Sequence, residues 1–111
     1  MSAAVMDVGE LLLSATDAGY PLTVDGDALV IPATLPPSMK SAAGRLRSIL
    51  ATLLSLSVEQ LCHGMTDDER EAFEERAAIL ETDGGYPREL AERVALWWTR
   101  TPRDERERIA A

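Results

Sequence analysis

The sequence predicts a mostly helical α+β fold, and three observations carry that reading. Apolar residues recur at helical spacing through most of the chain, short alternating segments flank Asp25-Gly26, and Pro, Gly and Ser/Thr mark the ends of the helical stretches. The 111 residues suit one compact domain or two very small ones. With 46% apolar residues the chain is too hydrophobic for a disordered tail.

From Asp7 to Ala18 the residues Val8, Leu11, Leu12 and Ala15 form one helical stripe, and Gly19 follows as a C-terminal cap. Asp25-Gly26 then signals a two-residue turn of type I′, which needs positive φ at both central positions. Leu22 and Val24 alternate before it, and Leu29 and Ile31 alternate after it, giving two strands of about four residues. So short a hairpin is marginal alone and must pack on something. Pro32 ends the second strand, and Pro37 sits well in the first turn of a helix. Met39, Ala42, Ala43, Leu46, Ile49, Leu50, Leu53 and Leu54 form its apolar stripe, in which Gly44 either divides two helices or kinks one. Residues 1–56 therefore read as an αββα(α) unit.

Residues 57–111 read as an acidic helical segment, packed on the first unit as one domain or standing beside it. Ser57-Val-Glu-Gln60 and Thr66-Asp-Asp-Glu69 both match the capping box, in which two side chains and two backbone amides satisfy one another. Phe73, Ala77 and Leu80 place a helix over Asp67 to Glu81, and Asp83-Gly84-Gly85 stops it. Pro87 opens the next helix, on which Leu90, Val94 and Trp97 repeat the spacing, so the two form a helical hairpin. Thr101-Pro102 starts a last, charged helix.

Charge narrows the function classes. Nineteen acidic and eleven basic residues leave a net charge of −8, the reverse of a nucleic-acid binder's footprint. No stretch approaches the roughly 18 apolar residues of a membrane span, and Met1 to Met6 lacks the start of a signal peptide. One cysteine, Cys62, excludes an internal disulfide and points to the cytoplasm. Cys62 and His63 supply too few soft ligands for zinc, and no cofactor motif is present. Catalysis would need a nucleophile with a positioned base, or paired carboxylates in a shaped pocket. The sequence offers neither, so the chain is expected not to be an enzyme.

The segments Leu11-Leu-Leu, Gly19-Tyr-Pro-Leu-Thr-Val-Asp-Gly-Asp-Ala-Leu-Val and Leu35-Pro-Pro…Leu46-Arg-Ser-Ile-Leu resemble the TubC-type N-terminal docking domain of non-ribosomal peptide synthetases, over about residues 6–54. The resemblance implies an αββαα homodimer that receives a short C-terminal tail along its hairpin as an added strand. The matching segment is Tyr20–Ile31, with Val24, Leu29 and Ile31 at the apolar positions. No condensation or adenylation domain follows, so a free-standing version is expected. The family's basic tail-reading side chains are replaced in the hairpin by Asp25 and Asp27. Residues 74–93 resemble a helix–DGG–helix segment of plasmid- and phage-borne proteins, which points to a mobile genetic element.

Two functional readings follow. The first is a non-catalytic protein-interaction module whose partner-binding residues are Tyr20, Leu22, Val24, Asp25, Asp27, Leu29 and Ile31, with Trp98 as an aromatic anchor. The second is a phage- or plasmid-encoded inhibitor of the anti-CRISPR type. It would cover a nucleic-acid-binding surface of a host defence complex with an acidic face of Asp67, Asp68, Glu71, Glu74 and Glu75. In both the partner is another protein, and neither calls for direct nucleic-acid or membrane binding.

Overall fold

The computed structural model describes residues 7–110, except the side chain of Ala110. Met1–Met6, the stretch read above for a leader, and Ala111 lie outside the described residues. The order is α1 (Val8–Asp17), β1 (Thr23–Asp25), β2 (Ala28–Val30), α2 (Pro37–Arg45), α3 (Arg47–Ser55), α4 (Val58–Leu61), α5 (Asp67–Thr82), α6 (Arg88–Arg100) and α7 (Arg103–Ala110). The mostly helical α+β class is the one the sequence predicts.

Local chemistry accounts for most of the boundaries. The Asp7 side chain caps α1 by accepting from the Glu10 amide at 2.8 Å. At the other end Gly19, at φ +87°, lets its own amide reach the Thr16 carbonyl and the Tyr20 amide reach Ala15. That pair of bonds is the Schellman motif, and the positive φ explains the glycine. Both predicted capping boxes form, at Ser57/Gln60 and Thr66/Glu69. The break between α2 and α3 falls at Leu46, two residues after Gly44, so the first unit is αββαα.

The hairpin corrects the predicted turn. Thr23, Val24 and Asp25 pair with Val30, Leu29 and Ala28, so the central residues are Gly26 and Asp27, not Asp25 and Gly26. Only Gly26 has positive φ (+65°), the pattern of a type II′ turn with glycine first. Hydrophobic burial selects this register. It sets Val24 opposite Leu29 on the inward face, whereas a turn centred on Asp25-Gly26 would pair Val24 with Asp27. The strands are three residues long rather than four.

One core joins the two segments. Val8, Leu11 and Leu12 of α1, Leu29 of β2, and Leu46, Leu50 and Leu53 around α3 cluster with Val94 and Trp97 of α6. Gly9 permits the close approach of α1 to α6, since a Cβ there would stand 3.0 Å from Val94 Cγ1 and 3.1 Å from the Tyr86 hydroxyl. A smaller cluster of Cys62, Phe73, Ala77, Ala95 and Leu96 holds α5 and the α4 turn to the other side of α6. Arg93 ties α6 to the end of α3, donating to the Leu53 and Leu56 carbonyls at 2.7 and 2.5 Å. Among the described residues no helix is long and apolar enough to cross a membrane.

The start of α1 contains a charge conflict. Burial, and then the neighbouring Asp7, push the Glu10 carboxyl above its ordinary 4.5. Burial followed by Asp7 and Glu10 raises the Tyr86 phenol as well. A raised carboxyl means the folded state holds its proton more tightly than the unfolded chain, so this contribution falls as pH rises through the folded value. Glu10→Gln is therefore expected to raise the thermal midpoint at neutral pH, with the advantage vanishing as pH drops below about 4.5. Glu69 acts in the opposite sense. Hydrogen bonds from the Thr66 backbone and then its side chain hold the carboxyl below its ordinary value, so its contribution is lost as pH falls.

Candidate functional site

The hairpin has one face in the core and two open edges. Residues flanking a two-residue turn exchange both backbone hydrogen bonds, so Asp25–Ala28 and Thr23–Val30 are bonded pairs. Val24 and Leu29 lie between them, and their amide and carbonyl groups consequently point outward, one pair from each edge. Such groups are the template for an added strand.

The two edges differ in their surroundings. Beside β2 runs a depression of about 430 Å³, with Asp27, Ala28 and Leu29 along one wall and Arg47, Ala51 and Ser55 of α3 along the other. Arg47 Nη1 lies 3.5 Å from the outward-facing Leu29 carbonyl, a long and readily displaced contact. The sequence reading missed Arg47 because it stands 18 residues from Leu29 and outside the hairpin. It supplies the positive charge that the hairpin itself lacks.

The predicted binding residues divide by orientation. Leu22 and Leu29 are buried (6% exposed each), and Val24 and Ile31 are half-buried against the same core. Their side chains hold the hairpin down, which leaves Leu29 and Val24 to meet a partner through backbone. Tyr20 is 41% exposed and Val30 43%, and Asp25 and Asp27 are exposed. Val30 was not among the predicted residues, although its alternation with Leu29 and Ile31 marks it as outward-facing.

Trp98 is placed differently from the predicted anchor. The guanidinium carbons of Arg76 and Arg106 lie 3.8 and 3.9 Å from its ring centroid. Two cations that close to one centroid must occupy opposite faces, so both faces of the ring are already covered. Trp98 thereby joins α5, α6 and α7, and Trp97 beside it is core.

Asp67, Asp68, Glu71, Glu74 and Glu75 are all exposed along α5, and spacings of three and four residues put them on one side. Ion pairs within 4 Å among the described residues lie elsewhere, at Arg88–Glu81, Arg88–Glu92, Arg93–Glu89 and Arg103–Glu107. Among the described residues the five carboxylates therefore have no such partner.

No protein family, curated protein or solved structure matches this chain.

Proposed function

We propose that this chain is a non-catalytic protein-interaction module that takes an extended segment of another protein along the outer edge of β2. The observation that carries the proposal is the depression between β2 and α3. There the outward amide and carbonyl of Leu29 stand within reach of a strand, and Arg47, Ala51 and Ser55 provide the facing wall. Strand addition draws affinity from backbone hydrogen bonds and specificity from flanking side chains. Three-residue strands offer few of the former, so the groove wall must contribute much of the binding. Arg47 favours a segment with a carboxylate near the paired position.

Ser55 is exposed at the end of α3 and lines this groove. Ser55→Trp is expected to leave the melting temperature nearly unchanged while weakening peptide binding about tenfold or more, measured by titration calorimetry with a peptide selected on the wild-type protein. Unchanged affinity would place the binding surface elsewhere.

A second reading is favoured by one observation, the five exposed α5 carboxylates with no cation within ion-pair distance among the described residues. They suit a protein inhibitor of anti-CRISPR type that covers the basic nucleic-acid groove of a defence complex. Changing Asp67, Asp68, Glu71, Glu74 and Glu75 to lysine is expected to abolish inhibition of such a nuclease and to leave β2-edge binding nearly intact. If the lysine variant inhibits as well as the wild type, this reading fails.

A further inference from the structure

On the other flank of α3 lies a second depression, of about 390 Å³. Its walls are Ile49 and Leu53 of α3, Leu61 of α4, and Leu96 and Trp97 of α6, so the surface opens directly onto the core. The rim carries one charge of each sign, Arg100 and Glu105. Arg100 donates to the His63 carbonyl at 2.8 Å, and neither rim residue has an ion-pair partner within 4 Å among the described residues.

This pocket and the β2 groove meet. Ser48 and Thr52, exposed and one turn apart on α3, line both. They form a low ridge of small hydroxyl side chains between a strand edge and an apolar cavity. A helix is about 10–12 Å across with its side chains, and an extended chain advances about 3.3 Å per residue. A segment that leaves the β2 edge across this ridge therefore brings a side chain about three residues further on over the pocket mouth.

We infer that the pocket takes an uncharged, large apolar side chain of the same partner segment, as its anchor. The inference rests on the proposed β2-edge reading. The floor selects the occupant: Ile49, Leu53, Leu61, Leu96 and Trp97 present hydrocarbon and indole, while the hydroxyls of Ser48, Thr52 and Thr101 and the opposite charges of Arg100 and Glu105 give no net charge for a charged side chain to neutralise. Buried apolar anchors surrounded by weaker contacts are where interface energy concentrates.

The test is a selection of random twelve-residue displayed peptides on the full chain. The binders are then mapped by amide chemical shifts and measured against Glu105→Trp, an exposed rim position, and against peptides with the apolar residue changed to alanine. Expected are binders that shift Thr23–Ile31 together with residues 49, 53, 61 and 96–101. They share one Leu, Ile, Phe, Met or Trp, and lose on the order of 10- to 100-fold in affinity when it becomes alanine. Binders that shift Thr23–Ile31 alone, and tolerate alanine throughout, would overturn the anchor and leave the β2 reading standing. Binders that shift only the pocket, or no binders at all, would overturn the β2 reading and the inference with it. A concentration-dependent dimer that Glu105→Trp breaks would assign the pocket to a second copy and likewise overturn the inference.

Discussion

Replacing Arg93 with alanine is expected to lower the unfolding free energy by about 3 kcal/mol, a fall of roughly 12 °C in melting temperature for a chain of this size. The reason is the geometry at the end of α3. The last carbonyls of a helix have no partners within it, and α3 ends without a glycine cap, at Leu56 in extended backbone. Arg93 reaches across from α6 and satisfies the Leu53 and Leu56 carbonyls together. Its side chain is only 14% exposed, so these charge-assisted bonds are poorly screened. Alanine would remove both bonds and the stem that packs beneath them. Arg88 is the natural control, since its own side chain is 56% exposed in its pairs with Glu81 and Glu92, and Arg88→Ala should cost no more than about 1 kcal/mol. Equal losses for the two variants, measured by urea denaturation, would contradict this account of α3.

Trp98→Ala is expected to cost about as much, by a different route. The half-buried indole fills the junction of α5, α6 and α7, and truncation of a buried Trp costs about 3–5 kcal/mol, with partial exposure placing this one at the lower end. Part of that loss is the double stack, because each cation over an indole contributes about 0.5–2 kcal/mol. Arg106 also donates to the Thr101 carbonyl at 3.1 Å, so releasing its stack should loosen the turn into α7. Hydrogen exchange should accordingly rise in Arg103–Ala110 more than in α1 or α3. Trp98→Phe, which keeps a weaker ring in place, should recover part of the stability. An alanine variant as stable as the wild type, with unchanged exchange in α7, would show that the stack is incidental.

How much of this was legible in the sequence follows from the range of each interaction. The Gly19 cap, the two capping boxes and the Pro37 helix start are settled within four or five residues, and the residue types alone identify them. The hairpin was legible as a hairpin but not in its register. Asp25-Gly26 and Gly26-Asp27 are both acceptable turn pairs, and the choice was made by Val24 and Leu29 seeking the same core face. The candidate site was visible only on its β2 side. Arg47 meets Leu29 across 18 positions, Arg93 meets Leu53 across 40, and Arg100 meets His63 across 37. Nothing in local composition marks such partners. The apolar pocket was hidden for the same reason, since α3, α4, α6 and α7 each supply part of it. Trp98 was conspicuous in sequence, but the two arginines that cover it come from helices 22 residues before and eight after it.

Pairing of an extended peptide with the outer edge of β2 can be read from an amide chemical-shift map recorded while a selected peptide is titrated. The largest shifts are expected at Ala28, Leu29 and Val30 and at residues 47–55 of the facing helix. Protection of the Leu29 amide from exchange and little change in α5 are expected as well. Shifts confined to α5 and its carboxylate stripe, with Leu29 unprotected, would contradict that pairing.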